Sequence, residues 1–402
     1  MTNAPALAGG KSRSVLVAGG GIGGLSAALA LAKQGISVTV AEQASEFGEV
    51  GAGIQLSPNA LAALFDLGLR DALEAMAFVP EGTQMRHWRR GGVIASSPLG
   101  AAAVERYGCP YYHIHRADLM TVLVEAAETE SRVSLARDTT VSGFDQSNGV
   151  VTADSDRGEI QADVLIGADG IHSTVRAGLF GDDAPTFTGN VAWRALVPVS
   201  RLPHGLVAPM STVWWGPGKH FVHYYVRRGE LVNCVCVVEK DGWTTESWTE
   251  PGELAELKAD FAGWHTDLQT LIDAIDEASL YKWALHDRPP MQQWSSGSVT
   301  LLGDACHPTL PFMAQGAAMA IEDGAVLARC LAANDDVPAA LARYEALRKA
   351  RTASIQRGSR RNAKVFHLRG VAAWLRNRAA GKASASALDA VYRYNPLTAI
   401  DD

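Results

Sequence analysis

The glycine-rich run at residues 19–24 constrains the fold of this chain more than any other feature. Upstream of it, SVLVAGG has the short apolar pattern of a buried β-strand, and downstream LSAALALAKQG has the pattern of a helix that ends near Lys33. The next segment, ISVTVAEQ, predicts a second strand. A strand, a glycine turn, a helix and a strand in this order predict a βαβ unit in a parallel, Rossmann-like sheet.

Three of these glycines, Gly19, Gly21 and Gly24, form the pattern G-x-G-x-x-G. In a dinucleotide-binding unit the first permits the tight turn, the second lets the backbone approach a pyrophosphate, and the third lets helix and strand pack closely. The helix N-terminus offers free N–H groups to the phosphates. Glu42, at the end of the second strand, is placed to bind a ribose diol. The pattern predicts one tightly held dinucleotide, which the spacing leaves open as NAD or FAD.

Bulk properties narrow the class of protein. The segment at residues 15–32 is uncharged, but five glycines in six positions argue against a membrane span or a signal peptide there. A net charge of −7 with scattered basic residues argues against nucleic-acid binding. Five cysteines without a CxxC pair favour reduced thiols in a cytoplasmic protein. A length of 402 residues predicts two domains.

A second glycine-containing segment follows the βαβ unit. Gly51 and Gly53 flank Ala52, which suggests that the backbone approaches a ligand closely, and an amphipathic helix is predicted to begin after Ser57. Gln55 is a polar side chain among small and apolar neighbours. The pattern leaves open whether Gln55 faces a cavity or solvent.

Three later stretches place polar residues beside apolar strands. HIHRADLM puts Arg116 at the start of a helix, and ADVLIGADG ends a buried strand at Asp169. LLGDACHPTLPFMAQGA ends another strand at Gly303 and Asp304, and then continues through two prolines into a run of small residues.

Together with the first eighty residues, these stretches resemble the single-component FAD-dependent aromatic hydroxylases, the group A flavoprotein monooxygenases. Salicylate hydroxylases, 6-hydroxynicotinate 3-monooxygenases and 3-hydroxybenzoate 6-hydroxylases are of this type. The resemblance extends from about residue 14 to about residue 365, with the motifs in the family's order. It implies an α/β fold in which a Rossmann-like FAD-binding domain carries an inserted antiparallel-sheet substrate domain and a helical C-terminal tail. The FAD-binding residues that it implies are Gly19, Gly21, Gly24, Glu42, Gly53, Arg116, Asp169, Gly303, Asp304, Gln315, Gly316 and Ala317.

The adjacent Cys306 and His307 raise the alternatives of a metal site or a nucleophile with its base. The two are too close in sequence, and too isolated from other ligands, for a zinc site, so no metal is expected. The resemblance implies instead a strand, a bent loop and a helix start at Gln315 whose N–H groups face the flavin. His307 is then interpreted as a structural residue.

The composition changes in the middle of the chain, where alternating runs such as VAWRALVPV and ELVNCVCVVE predict antiparallel strands. Because this segment lies between FAD motifs, both domains are expected to be discontinuous. The FAD-binding domain is predicted at residues 1–75, 105–180 and 293–365, the β-sheet substrate domain at 76–104 and 181–292, and the helical tail at 366–402.

The strand KHFVHYYV carries the candidate catalytic residues. Its period of two places His220 and Tyr224 on one face and His223 on the other. His220 and Tyr224 match a His and a Tyr that line the substrate in relatives acting on 3-hydroxybenzoate or 6-hydroxynicotinate. A neutral imidazole suits the removal of a phenolic proton. The alternatives are that His220 only packs between strands, or that His223 takes its place if the strand is flipped.

The resemblance also implies a reaction. NADH or NADPH binds transiently and reduces FAD, O2 adds to give a C4a-hydroperoxide, and one oxygen atom passes to an activated aromatic ring while water leaves. The predicted substrate is a monocyclic hydroxyaromatic carboxylate, with salicylate-like compounds favoured over 3-hydroxybenzoate and 6-hydroxynicotinate. Pro311 matches the salicylate and hydroxynicotinate types, whereas Phe312 departs from both and Gln55 replaces a His of the latter.

A flavin-binding protein without hydroxylase activity is the alternative from another class, and the pair His220 and Tyr224 argues against it. The predicted assembly is a monomer or a homodimer.

Overall fold

The structure is a computed structural model that describes residues 13–47, 52–240, 242, 250–380 and 388–401. The predicted contact of Gly51 lies outside the described residues. In chain order the strands are β1 (Ser14–Ala18), β2 (Ser37–Ala41), β3 (Gly53–Leu56), β4 (Gly82–His87), β5 (Val93–Pro98), β6 (Tyr112–His115), β7 (Val133–Ala136), β8 (Val141–Ser147), β9 (Val150–Ser155), β10 (Ile160–Ala162), β11 (Val164–Gly167), β12 (Thr186–Pro198), β13 (Met210–Gly216), β14 (Lys219–Val226), β15 (Leu231–Glu239), β16 (Tyr281–Asp287), β17 (Ser295–Ser296) and β18 (Val299–Leu301).

The α-helices alternate with these strands. They are α1 (Ile22–Lys33), α2 (Pro58–Asp66), α3 (Arg70–Met76), α4 (Ala101–Tyr107), α5 (Arg116–Thr129), α6 (Thr174–Phe180), α7 (Leu254–Asp260), α8 (Thr266–Asp273), α9 (Gly316–Ala333), α10 (Val337–Phe366), α11 (Gly370–Ala380) and α12 (Asp389–Tyr392).

The first sheet has the strand order β17-β18-β11-β1-β2-β7. All its neighbouring strands are parallel except β17 and β18. Val17 of β1 pairs with Val40 of β2 on one side and with Ile166 of β11 on the other, and all three side chains are buried. A parallel sheet is covered on both faces, which explains why these strands are almost continuously apolar. The βαβ unit predicted around the glycine run is therefore confirmed.

The second large sheet has the order β16-β12-β15-β14-β13-β4-β5. Its neighbouring strands are antiparallel, except that β13 runs parallel to β4. On one face Trp193, Trp214 and Phe221 pack with residues of α7 and α8, including Leu257 and Leu268, to form a separate hydrophobic core. The opposite face of the sheet is thereby left to form the wall of a cavity.

The fold class expected from the resemblance is confirmed: a mixed α/β architecture with a Rossmann-like sheet, a largely antiparallel sheet and a helical C-terminal region. The long helix α10 crosses from the first sheet towards the second, and α11 follows it. Within the described part of the chain, no helix combines the length and the apolar character needed to span a bilayer.

Candidate active site

The three motif glycines occupy different environments at the end of β1. Gly19 has φ +105°, and a Cβ there would lie 2.5 Å from the carbonyl oxygen of Ala168. A Cβ at Gly24 would lie 2.0 Å from the carbonyl oxygen of Gly19. A Cβ at Gly21 would meet no described atom within 4 Å, so open space remains in front of the N-terminus of α1. The loop therefore leaves room for a phosphate group beside the free N–H groups of the helix.

Glu42 lies directly after β2 and braces this loop. Its Oε2 accepts a hydrogen bond from the backbone N–H of Gly20 at 2.7 Å, and its Oε1 accepts one from Ala44 at 2.9 Å. The carboxylate is thus held at the end of the strand where a ribose is expected.

A second helix N-terminus is formed where the segment at residues 303–315 leads into α9. Pro311 begins a short 3₁₀ turn, Ala314 adopts the left-handed conformation with φ +51°, and Gln315 is the N-cap residue of α9. The Gln315 side chain is fully buried and points to the helix α2 region, where it donates to Ser57 Oγ at 2.9 Å and accepts from Asn59 Nδ2 at 3.0 Å. Gln315 thus fixes the helix start, while Gly316 and Ala317 line the cavity.

The N-terminal halves of α1 and α9 pack against each other through small residues. A Cβ at Gly23 would lie 3.0 Å from Cβ of Ala320, and a Cβ at Gly324 would lie 2.8 Å from the backbone of Ala27. Larger side chains at these glycines would push the helices apart. The two helix N-termini expected to bind one flavin nucleotide are therefore held close together.

Behind the segment at residues 303–315 lies a buried charge cluster centred on Asp323 of α9. Its Oδ1 accepts from Nε of Arg348 at 2.7 Å, its Oδ2 accepts from the N–H of Gly303 at 3.1 Å, and Oδ2 also lies 2.5 Å from Nε2 of His307. Burial alone would raise the pKa of the Asp323 carboxyl, but His307 and Arg348 lower it to about 2. The cluster ties the segment that precedes α9 to the interior of the protein.

Ligand atoms of Cys306, His307 and Asp323 lie within 4.8 Å of one another. The sequence argument that Cys306 and His307 are isolated from other ligands missed Asp323. Both oxygens of that carboxylate already accept hydrogen bonds from His307, Arg348 and the backbone. His307 contacts Asp323 within this buried cluster, and its structural role stays a prediction.

Between the two large sheets lies a cavity of about 300 Å³. Its walls come from β3, β12, β14, β15 and β16, and from the segment at residues 308–317. Most of the lining side chains are apolar, among them Val222, Val235, Val237 and Leu310. Apolar walls suit an aromatic ring, and the part of the cavity lined by Gly316 and Ala317 is where the flavin ring is expected.

His220 and Tyr224 both line the cavity from β14, as their shared strand face predicts. His220 is 2 % exposed, and burial lowers its pKa well below the usual value, an effect to which His367 adds. Burial also raises the pKa of the Tyr224 hydroxyl. The two groups therefore rest in their neutral forms, and a neutral imidazole is the form that accepts a proton.

Two residues predicted to contact substrate lie outside the cavity lining. His223 is on the other face of β14, where its Nε2 accepts from Nε1 of Trp214 at 3.0 Å and where burial lowers its pKa to about 3. Phe312 is buried with its ring centroid 5.1 Å from that of His220, so it packs behind the histidine. His223 lies outside the lining because side chains alternate between the two faces of β14. Phe312 lies outside it because this residue belongs to the 3₁₀ turn that begins at Pro311.

Gln55 and Gly53 lie at the opposite edge of the cavity on β3. Gln55 faces the cavity, and its Oε1 accepts from the hydroxyl of Tyr111 at 2.7 Å. The N–H of Gly53 donates to Oδ1 of Asn233 at 2.7 Å, and a Cβ at Gly53 would lie 2.7 Å from the Tyr224 ring. The close approach expected at Gly53 therefore involves protein atoms of the second sheet.

Arg116, Asp304 and Asp169 are the remaining polar candidates. Arg116 and Asp304 both line the cavity. Burial lowers the pKa of Arg116, which Asp304 counteracts, and burial raises the pKa of Asp304, which His307 and Arg116 oppose. Asp169 lies beside the glycine loop, since a Cβ at Gly19 would lie 3.0 Å from its backbone nitrogen; its Oδ2 accepts from the N–H of Val175 at 3.1 Å, and burial raises its pKa.

A buried arginine on β12 was not anticipated from the sequence. Arg194 lines the cavity, is 3 % exposed and has its guanidinium carbon 5.4 Å from the ring centroid of Trp283. Burial, with a smaller contribution from Arg116, lowers its pKa to about 10, so it remains a cation at neutral pH. The signal was present in VAWRALVPV, where a single charge interrupts an apolar strand.

Comparison with known proteins agrees with this geometry. Residues 12–359 match a family model described as an FAD binding domain. The 3-amino-4-hydroxybenzoate 2-monooxygenase PtnB3 of Streptomyces platensis is 42% identical over 355 residues, which cover 88% of each chain. This chain belongs to the group A FAD-dependent aromatic monooxygenases. It is an FAD-dependent aromatic-ring monooxygenase, and NAD(P)H and O2 are the usual co-substrates of such enzymes.

Other members of this monooxygenase family match over nearly the whole chain. The 3-hydroxybenzoate 6-hydroxylase of Polaromonas naphthalenivorans is 42% identical over 366 residues, 90% of each chain. The structure of Klebsiella pneumoniae HpxO complexed with FAD and uric acid superposes with a TM-score of 0.85 and 28% identity, covering 96% of this chain and 97% of the other. A salicylate hydroxylase substrate complex gives a TM-score of 0.82 and 27% identity, covering 98% of each chain.

The residues present fit an FAD molecule. The glycine loop leaves open space in front of Gly21 for a phosphate group. Gly316 at the start of α9, Arg116 and Asp304 all line the cavity, where they can contact the rest of the cofactor. Backbone N–H groups at both helix starts suit the phosphates and the reduced flavin ring.

Proposed function

We propose that this monooxygenase hydroxylates a monocyclic hydroxyaromatic carboxylate, and that His220 removes the phenolic proton of the substrate while Tyr224 orients it. One observation carries the proposal. A neutral buried imidazole, a phenol side chain and a buried guanidinium line the same small apolar cavity beside the N-terminus of α9. These three groups match the hydroxyl and carboxylate groups of such a substrate.

Arg194 supports the assignment of a carboxylate. A carboxylate placed against a buried guanidinium makes charge-assisted hydrogen bonds in a medium of low polarity, where they are stronger than at a surface. Trp283 stacks on the guanidinium and restricts its orientation.

His220 supports the assignment of a phenol. A hydroxyl group attached to the ring donates electrons more strongly once its proton has left, and the ring then attacks an electrophilic oxygen more readily. When bound, FAD would provide the electrons that reduce O2 and would deliver the electrophilic oxygen atom. The apolar side chains of β15 and the segment at residues 308–311 exclude water from the reacting atoms.

The choice among aromatic acids is the finer part of the proposal. Pro311 and the matching salicylate hydroxylase complex support a salicylate-like substrate. The 42% identity to a 3-hydroxybenzoate 6-hydroxylase supports 3-hydroxybenzoate as the second candidate.

We also propose a cytoplasmic location, which five free cysteines support, and a monomeric or homodimeric state. Light scattering after size exclusion tests the second point.

The test is NAD(P)H oxidation with salicylate, 3-hydroxybenzoate, 6-hydroxynicotinate and 3-amino-4-hydroxybenzoate, followed by mass spectrometry of products formed under ¹⁸O2. We expect one acid to stimulate oxidation and to gain one labelled oxygen atom. His220→Ala should retain FAD but slow hydroxylation by about 10²-fold or more, the usual contribution of a general base. His204→Ala, which changes an exposed histidine, is the matched control. Stimulation by none of the acids would refute the substrate class, and full activity of His220→Ala would refute the role of His220.

A further inference from the structure

A chain of three polar side chains connects the cavity with the protein surface. Nδ1 of His220 lies 2.8 Å from Nε2 of His367, and Nδ1 of His367 lies 3.1 Å from Oε1 of Glu239. His367 directly follows α10 and is 4 % exposed, whereas Glu239 is the last residue of β15 and its side chain is 45% exposed. The chain therefore begins at a buried base and ends in solvent.

The acceptor at its outer end fixes the tautomers of both histidines. A carboxylate only accepts hydrogen bonds, so the Nδ1 atom of His367 carries a hydrogen and donates it to Glu239. In neutral His367, Nε2 is then the acceptor, and Nδ1–H of His220 donates to it. This leaves Nε2 of His220 as the basic nitrogen for a ligand in the cavity, which is the tautomer that a general base needs.

We propose that His367 and Glu239 form a proton relay between His220 and solvent. The inference rests on the proposed role of His220 as the base. When the substrate hydroxyl gives its proton to Nε2 of His220, the Nδ1 proton of His220 moves to Nε2 of His367. The Nδ1 proton of His367 then passes through Glu239 to water. Reversal of the same steps returns a proton to the product, so the relay leaves the stoichiometry of hydroxylation unchanged.

The surroundings explain why a relay is needed. His220 packs against Phe312, Phe366 and the His367 ring, and this apolar contact disfavours an imidazolium that persists beside the substrate. Burial lowers the pKa of both histidines. A proton taken up by His220 is thus passed on more favourably than it is kept.

Glu239 is the charged group that draws a proton on His367 towards the surface. Burial has the largest effect on His367 and lowers its pKa, Glu239 raises it, and Arg369 and Arg376 lower it. Arg369 donates to Oε2 of Glu239 at 3.0 Å, which leaves Oε1 facing His367. The exposed carboxylate is therefore held in place as the outer acceptor.

The experiment measures proton release without turnover. Anaerobic holoenzyme is mixed with 3-hydroxybenzoate or salicylate in a weakly buffered solution containing a pH indicator, and phenolate absorbance and released protons are followed by stopped flow. We expect His367→Gln and Glu239→Gln to retain FAD and to bind these acids, but to slow both signals. For His367→Gln, the rates of phenolate formation and of proton release should each fall about tenfold or more, within the range of general-base effects. His204→Gln is the matched control for the first variant.

Rescue separates proton transfer from a purely structural role of His367. Added imidazole or a rise in pH should restore the rate of His367→Gln, because a small base can accept the proton that the side chain no longer carries. Absence of rescue, or a wild-type rate in His367→Gln, would overturn the relay. A wild-type rate in His220→Ala would instead overturn the proposed base, so the two failures are distinguishable.

Discussion

Replacement of Asp323 by asparagine tests whether the buried charge cluster holds the segment that precedes α9. Oδ1 of Asp323 accepts from Arg348, and Oδ2 accepts from Gly303 and contacts His307. Because both oxygens of the carboxylate face donors, the NH2 group of an asparagine would meet a donor whichever way the amide is turned. The variant loses a buried charge and also leaves donors unsatisfied.

The magnitude follows from the burial of the cluster. Asp323 and Arg348 are both 0% exposed, and removing one partner of a buried ion pair costs about 3–5 kcal/mol. Glu322 still pairs with Arg348 at 2.6 Å, so the lower end of this range applies. For 402 residues, with an unfolding entropy of about 2 cal/mol/K per residue, about 3 kcal/mol corresponds to a decrease in Tm of about 4 °C. Differential scanning calorimetry measures the decrease. Saturating FAD is needed in every sample, because a ligand that binds only the folded state raises its Tm.

The pH dependence gives a second readout of the same cluster. The pKa of Asp323 is lowered to about 2, so its contribution to stability is fully present above the ordinary carboxyl pKa of about 4 and is lost as the pH falls towards 2. Between pH 5 and pH 3 the wild-type protein should therefore lose about 1 kcal/mol that Asp323→Asn does not lose.

Asp145→Asn is the matched control, since Asp145 is exposed on β8. Equal Tm values for the two asparagine variants at neutral pH, or parallel acid profiles for wild type and Asp323→Asn, would refute the reasoning.

The remaining predictions concern the cofactor loop and the cavity. Gly21→Val should fold with an unchanged apoprotein Tm, because an added Cβ meets no described atom within 4 Å, but calorimetric titration should show FAD affinity reduced about tenfold or more. Gly24→Ala should lower the Tm of the apoprotein itself, since its Cβ would lie 2.0 Å from a carbonyl oxygen. A lowered apoprotein Tm for Gly21→Val together with an unchanged one for Gly24→Ala would contradict the assigned roles. Arg194→Gln should raise KM for the aromatic acid by about 10- to 100-fold and leave the weak KM for the corresponding uncharged phenol unchanged, and an equal effect on both compounds would exclude a carboxylate contact.

Local patterns predicted the βαβ unit and the antiparallel strands because each depends on short-range periodicity. Gly19, Gly21 and Gly24 have steric requirements that a sequence displays directly, and the alternation of β14 correctly separated His220 and Tyr224 from His223. Such features need no knowledge of how distant segments meet.

The parts that could not be predicted all depend on contacts between distant segments. Asp323 meets His307 only because α9 folds back beneath the loop that precedes it, and His367 reaches His220 only because α10 crosses to the second sheet. The parallel pairing of β13 with β4 likewise joins strands far apart in sequence. An acidic residue inside an apolar helix was the available signal for Asp323, but nothing local identified its partners.

The packing of α1 against α9 through Gly23, Ala320, Ala27 and Gly324 has a consequence for biosynthesis. The first of these helices leaves the ribosome when most of the chain is still untranslated, and the second emerges only after the antiparallel sheet has been made. Stable capture of the flavin must therefore wait until late in translation. In a cell short of flavin, newly made chains would therefore complete their folding with the capture step still pending.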